Sequence, residues 1–95
     1  MIIVSGWLHV EPKQRQAYLD SCRPIIEAAR AAPGCMAFHL SADPLEVGRI
    51  NVFEQWQTTS DVERFRQDGP DTELVTAIVA ASVDQHEIAS TTPLT

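Results

Sequence analysis

The residues Phe53-Glu54-Gln55-Trp56 close a strand-like run and combine a carboxylate with an indole. In an extended strand alternate side chains share a face, so Val52, Glu54 and Trp56 point the same way. A carboxylate between a β-branched residue and an indole on a core-facing side costs free energy unless it has a partner or a purpose. As a base, Glu54 could take the proton of an acidic phenol or quinol hydroxyl and leave an electron-rich ring.

Other interpretations of the same residues stay open. Glu54 could be a structural acceptor for an arginine such as Arg23 or Arg66, because ion pairs also produce buried carboxylates. Trp56 could stack on a flat ligand and orient an oxygen through its indole N–H, or it could fill the core between sheet and helices. His86 could shuttle a proton at the mouth of a pocket, since histidine titrates near neutral pH.

The pattern of apolar residues predicts four strands and three helices that position these side chains. Apolar residues alternate in the strands and recur every three or four positions in the first helix, where Pro24 predicts a kink. The second helix begins with the capping box Ser60-Asp61-Val62-Glu63 and ends at Asp68-Gly69-Pro70, and a third runs from about Pro70 to Ala80. The predicted strands cover residues 2–10, 35–42, 49–57 and 82–89.

The order β-α-β-β-α-β describes a ferredoxin-like α+β domain with a four-stranded antiparallel sheet and helices on one face. The predicted domain covers residues 1–90, and residues 91–95 form a tail. The face without helices carries Ile3, Trp7, Asn51 and Phe53. Left bare, such a face would be a large apolar patch, and patches of this kind mark a partner surface. We therefore predict that two sheets pack face to face as a homodimer.

The opposite face of the sheet is expected to line a pocket. In the predicted fold Met36, Phe38 and Phe65 lie on the side of the sheet that carries Glu54, and they would form the walls of a substrate pocket. Gly6 is assigned to the same pocket, where a lone glycine in a strand indicates a close backbone approach or a bulge.

Composition excludes several classes of partner. The 95-residue chain has a net charge of −6 and a single lysine, Lys13, which argues against nucleic-acid binding. No apolar run approaches the ~20 residues that span a bilayer, and the apolar start lacks a basic region, so a cytoplasmic location is expected. His9, His39 and His86 fall on three strands without paired spacing, and the two cysteines form no CxxC. We therefore expect no metal, haem or flavin.

Several short motifs occur in an order that resembles a known family. They are Leu8-His9-Val10-Glu11-Pro12, Ala32-Pro33-Gly34-Cys35, Phe38, Phe53-Glu54-Gln55-Trp56 and Phe65. With these motifs the chain resembles the antibiotic biosynthesis monooxygenase domain family, whose members are dimeric α+β barrels. The resemblance implies a pocket in each subunit. It also implies, as in some members, oxygenation of polyketide-derived phenols or quinols by O₂ without a metal or flavin.

Other members of that family degrade haem. The resemblance aligns their functional Asn, Trp and His with Gly6, Phe65 and Val75, which lack those groups, so haem degradation is disfavoured. The leading prediction is a homodimeric, cofactor-independent oxygenase in which Glu54 is the base or orienting acceptor and Trp56 stacks on the substrate. The alternatives are an accessory dimer that binds a small hydrophobic molecule, and an isomerase or cyclase on the same fold.

Overall fold

A four-stranded antiparallel sheet with helices packed against it forms the protein. The structure, a computed structural model, describes residues 1–67 and 72–95. The strands are β1 (Ile2–His9), β2 (Cys35–Ala42), β3 (Arg49–Trp56) and β4 (Ala80–Glu87). A 3₁₀ turn (Pro12–Gln14) precedes α1 (Arg15–Ser21), followed by α2 (Arg23–Ala31), α3 (Thr59–Arg66) and α4 (Thr72–Thr76). Among the described helices, none has the length and apolar character that crossing a bilayer requires.

The strand order is β2-β3-β1-β4, and every neighbouring pair is antiparallel. This confirms the predicted ferredoxin-like α+β fold. The register pairs Val4 with Glu54 and Gly6 with Val52, which places these four residues on the face that the helices cover. Because side chains alternate along a strand, the even-numbered residues of β1 face the core and the odd-numbered ones face outward.

The long first helix is interrupted where the sequence predicts a kink. Pro24 stands in the first turn of α2, and Cys22 separates α1 from α2. The apolar stripe nevertheless continues across the interruption, because Tyr18, Cys22 and Ala29 are all buried. Proline removes one backbone donor and bends the helix without ending its packing against the sheet.

Two other predicted helix features differ in the structure. The N-cap of α3 is Thr58, whose Oγ1 accepts a hydrogen bond from the Asp61 backbone N–H at 3.1 Å, and the predicted box at Ser60 is not used. The predicted third helix is shorter than expected, since α4 spans Thr72–Thr76 and a strand begins at Ala80. The predicted break at 68–70 lies outside the described residues.

A β-bulge in β2 interrupts the alternation of side chains that the sequence predicts. The register pairs Cys35 with Trp56 and Phe38 with Glu54, so the strand contains one extra residue between them. Met36 takes that place and is 50% exposed. A bulge shifts every earlier residue of its strand to the other face. Met36 therefore departs from the predicted alternation, and its role in a pocket wall stays a prediction.

Gly6 marks a close approach between β1 and β4, as one of the two sequence interpretations predicts. Its φ is +153°, and a Cβ atom at this position would lie 2.0 Å from the Ser82 carbonyl oxygen and 2.7 Å from the Val83 Cα. Both neighbours are backbone atoms of a paired strand, so neither can rotate away. Only glycine fits this position without displacing β4.

We expect Gly6→Ala to destabilise the protein by roughly 2 kcal/mol or more, because β4 must shift to relieve the clash. Urea denaturation followed by circular dichroism measures the loss. Ser5→Ala on the same strand is the matched control, since it adds no atom, and it should change stability by no more than ~0.5 kcal/mol. Equal midpoints for the two variants would contradict the close approach.

The face of the sheet without helices, or open face, carries the four residues that the sequence assigns to a dimer interface: Ile3, Trp7, Asn51 and Phe53. The register pairs Ile3 with Gln55, Ser5 with Phe53 and Trp7 with Asn51, so these side chains share one face. It also pairs Ile3 with His86. His86 therefore lies on the open face, and its predicted place at the mouth of a pocket between sheet and helices is wrong in this structure.

Side chains at one end of the open face are held by contacts within the chain. Asn51 donates to the Asp43 Oδ1 at 2.9 Å and accepts from the Arg49 Nε at 2.7 Å. The Arg49 guanidinium also lies over the Trp7 ring, 5.9 Å from its centroid. The hydrogen bond from Asn51 and those from two loop amides lower the pKa of Asp43 to about 2. This end of the face is preorganised in the single chain.

Candidate functional site

A cavity of about 410 Å³ opens between the sheet and the helices. Its walls are mostly aliphatic and include Val4, Leu8, Leu40, Val52, Leu74 and Ile78. Among the described residues, polar ones interrupt that surface at Glu54, Arg66, Tyr18, Cys22, Asp84 and Gln85. A mainly apolar cleft with a few polar groups is the usual form of a small-molecule site.

The cavity lies between two packing clusters of the core. The first cluster comprises Ile2, Val4, Ala29, Phe38, Trp56 and Val62. The second comprises Val10, Tyr18, Cys22 and Ile50. Along β3, Ile50 belongs to the second cluster and Trp56 to the first, so Glu54 and Val52 line the space between them.

Glu54 is held by two donors. Its side chain is 5% exposed, and the Arg66 Nη2 donates to both carboxylate oxygens, at 2.7 Å to Oε1 and 2.9 Å to Oε2. The Trp56 indole Nε1 donates to Oε1 at 3.0 Å. Among the described residues, Oε1 therefore receives two donors and Oε2 only one. A carboxylate oxygen can accept two hydrogen bonds, so Oε2 retains acceptor capacity.

The α3 helix positions Arg66. Thr58 caps its first turn, and Val62 is buried against the sheet. Arg66 follows Val62 by four residues and so projects from the same face of the helix. Its side chain is 47% exposed and bridges from the buried carboxylate to the open side of the cavity. Of the two arginines proposed from sequence as partners of Glu54, Arg66 makes the contact.

The aromatic residues pack behind Glu54. Trp56 is fully buried, and the Phe65 ring centroid lies 5.3 Å from the indole and 5.9 Å from the Phe38 ring. Phe65 thus packs against the first cluster and contacts both of its other rings, and none of the three rings lines the cavity. The structure thus brings Trp56 to the carboxylate as a hydrogen-bond donor. It does not bring Phe38, Phe65 or the Trp56 ring face to the cavity.

Tyr18 and Cys22 line the cavity from α1 and its C-terminal cap, one helical turn apart. Burial and the neighbouring Cys22 raise the pKa of Tyr18 to about 12, and burial raises the pKa of the Cys22 thiol. Both groups therefore stay protonated and neutral at physiological pH. Sequence reasoning treated them as members of an apolar stripe. The sequence does contain a signal for them, because the Tyr18 hydroxyl and the Cys22 thiol stand four residues apart on that otherwise apolar stripe.

The histidines lie apart from the cavity wall. His9 and His86 are on the open face, and His39 stacks on Phe53 with centroids 6.2 Å apart. Within residues 1–67 and 72–95, no cluster of three His, Cys, Asp or Glu side chains is arranged to hold a metal ion. Among the described residues, Asp84 of the edge strand also lines the cavity, but its pairing with Ser5 places its side chain on the open face.

A four-stranded antiparallel sheet with helices on one face defines a ferredoxin-like α+β protein, and here a cavity opens between the two layers. Within that class the chain belongs to the antibiotic biosynthesis monooxygenase family, since the family model described as "Antibiotic biosynthesis monooxygenase" matches residues 1–81. The resemblance drawn from the sequence motifs is confirmed.

Solved structures show the same fold. A candidate antibiotic biosynthesis monooxygenase from Deinococcus radiodurans superposes with a TM-score of 0.86 at 17% identity, covering 100% of this chain and 99% of that one. Rv0793 from Mycobacterium tuberculosis superposes with a TM-score of 0.75 at 15% identity, covering 97% and 98%. At these identities the likeness establishes the fold alone.

A curated relative is similar over part of its length. The uncharacterized protein sll1783 of Synechocystis sp. is 26% identical over 62 residues, which are 65% of this chain and 42% of that protein. The match thus spans about two fifths of the length of this relative.

Proposed function

We propose that the protein is a cofactor-independent monooxygenase that oxidises a phenolic or quinol small molecule with O₂. The observation that carries this proposal is the Glu54 carboxylate, held by Arg66 and Trp56 at the wall of an aliphatic cavity. Membership of the antibiotic biosynthesis monooxygenase family supports the reaction class. The cavity is wide enough for a small aromatic ring system.

The chemistry begins with proton transfer. The substrate ring occupies the aliphatic part of the cavity, and its hydroxyl donates to Oε2 of Glu54, the oxygen with spare acceptor capacity. Transfer of that proton to Glu54 leaves an electron-rich phenolate, which passes one electron to O₂. The resulting radical pair is caged by the cavity walls and combines into a peroxide at a ring carbon.

Collapse of the peroxide completes the reaction. The O–O bond breaks, one oxygen atom remains on the ring as a carbonyl, and the other leaves as water. The substrate loses two hydrogens, one from carbon and one from the hydroxyl, and supplies all four electrons that reduce O₂. The product is a quinone, and no external reductant is consumed.

An oxygen electrode with a panel of phenols, quinols and anthrone-type substrates tests this proposal. We expect O₂ uptake equal to product formed, with one atom of isotopically labelled O₂ in the quinone and the other in water. A ligand that binds unchanged and causes no uptake across the panel would favour an accessory binding protein. Product formed in the absence of O₂ would favour an isomerase or cyclase.

We also propose that two copies of the chain associate through the open face of the sheet. Ile3, Trp7 and Phe53 share that face. Phe53 is exposed, Ile3 and Trp7 are partly exposed, and apolar side chains grouped on one surface favour a partner. A specific interface buries ~1,200–2,000 Å². We assign a second copy as the occupant, since two sheets can pack face to face and each cover the apolar side chains of the other.

Trp7→Glu is expected to convert the dimer into monomers, because the new carboxylate would enter the interface without a partner. Light scattering at micromolar concentration measures the mass. Ala28→Glu adds the same charge at an exposed position of α2 and should leave the dimer intact. A wild-type protein that scatters as a monomer, or equal masses for the two variants, would contradict the proposed interface.

A further inference from the structure

The pair formed by Glu54 and Arg66 has unused hydrogen-bonding capacity at the cavity. A single guanidinium nitrogen of Arg66, Nη2, makes both contacts with the carboxylate. Within the described part of the chain, Nη1 and Nε of Arg66 donate to no side chain, and the Arg66 side chain is 47% exposed. In the same part of the chain, Oε2 of Glu54 has one donor. A hydroxyl at this position could donate to Glu54 and accept from Arg66 at the same time.

We propose that Arg66 is a second catalytic residue, which binds the oxygen of the substrate as an anion once its proton has passed to Glu54. This inference rests on the proposed function and names its substrate class as acidic phenols and enols. In the step, the substrate O–H bond breaks and an O–H bond forms at Oε2 of Glu54. The substrate oxygen keeps the electron pair and the negative charge.

The charge balance of the cavity favours this arrangement. Before transfer the site holds one negative carboxylate and one positive guanidinium, and after transfer it holds a neutral acid, the guanidinium and one anionic substrate oxygen. The net charge stays at zero, and negative charge only moves between neighbouring oxygens. Placing an additional unpaired anion in an apolar cavity would cost far more. Arg66 serves both states because hydrogen bonds from a guanidinium to an anionic oxygen are charge-assisted.

The same balance predicts which ligands bind. A phenol can donate its proton to Glu54 and then pair with Arg66, whereas its methyl ether has no proton to give. A carboxylate ligand arrives already ionised and would place two anions beside one arginine. We therefore expect the dissociation constant of 4-nitrophenol to be about tenfold or more below those of 4-nitroanisole and 4-nitrobenzoate. A tenfold ratio corresponds to one pKa unit of differential interaction.

The visible spectrum of bound 4-nitrophenol tests the role of Arg66 directly, because the anion absorbs visible light and the neutral phenol does not. We expect wild-type protein to show the anion band at a pH at which the free probe is mostly neutral. Arg66→Gln should lower the ratio of bound anion to bound neutral phenol at least about tenfold. Arg64→Gln on the same helix is the matched control and should behave as wild type, since Arg64 is 62% exposed and pairs with Asp61.

Arg66→Lys covers the case in which the glutamine variant does not fold, because it keeps the positive charge beside Glu54. It should retain part of the anion band. The inference is overturned if wild type binds the probe in its neutral form or does not bind it, or if the Arg66 and Arg64 variants give the same spectrum. Neutral binding together with O₂ uptake from quinols would reject the role of Arg66 and leave the oxygenase intact. An anion band without O₂ uptake on any substrate would reject the oxygenase and leave the anion site.

Discussion

Glu54→Gln protein is expected to fold and bind substrate but to turn over about 10²–10⁴-fold more slowly, which is the usual contribution of a positioned base. The amide oxygen of glutamine can still accept from the Arg66 Nη2 and the Trp56 Nε1, so the local packing is kept. The amide cannot take the proton of a hydroxyl. Initial rates of O₂ uptake at saturating quinol measure the loss.

Stability distinguishes a lost base from a damaged fold. In Glu54→Gln the guanidinium of Arg66 loses its counter-charge, but its side chain is 47% exposed and can be solvated, so we expect a cost near 1 kcal/mol. Glu63→Gln, at an exposed position of the same helix, is the control for losing one carboxylate. Wild-type turnover in a stable Glu54→Gln protein would remove Glu54 from the mechanism.

Arg66→Met is expected to destabilise the protein by about 3–5 kcal/mol, a larger loss than that of Glu54→Gln. The asymmetry follows from burial, because the carboxylate left behind is only 5% exposed and keeps one donor, the Trp56 indole. A domain of this size has ~5–15 kcal/mol of stability in total, so the variant should be close to unfolding at physiological temperature. Urea denaturation of both variants measures the difference.

A double substitution checks that the loss comes from the unpaired carboxylate. Adding Glu54→Leu to Arg66→Met removes the buried charge, and replacing both partners of a buried pair by apolar groups is close to neutral. The double variant should therefore recover part of the stability, because the buried Trp56 indole N–H loses its acceptor when Glu54 is replaced. Arg64→Met controls for the change of residue type at an exposed site. A midpoint for Arg66→Met equal to that of Arg64→Met would show that the pair contributes little.

The sequence by itself determines the fold class, because the signals for it are local. Alternation of apolar residues defines the strands, the three-and-four spacing defines the first helix, and Pro24 and Ala32-Pro33-Gly34 mark its kink and its end. The order of elements then allows few arrangements of four strands. The position of Glu54 beside Trp56 on the core face also follows from the sequence, because side chains two residues apart in a strand point to the same face.

Register and packing, which act between distant segments, are decided only by the tertiary structure. One extra residue in β2 moves Met36 out of the core face, and the pairing of Ile3 with His86 places that histidine on the open face. Both depend on a shift of one residue between strands, which no single strand encodes. The contact between Glu54 and Arg66 joins a strand to a helix twelve residues later. The cavity exists because the two core clusters leave space between them, and this depends on how whole side chains fill volume.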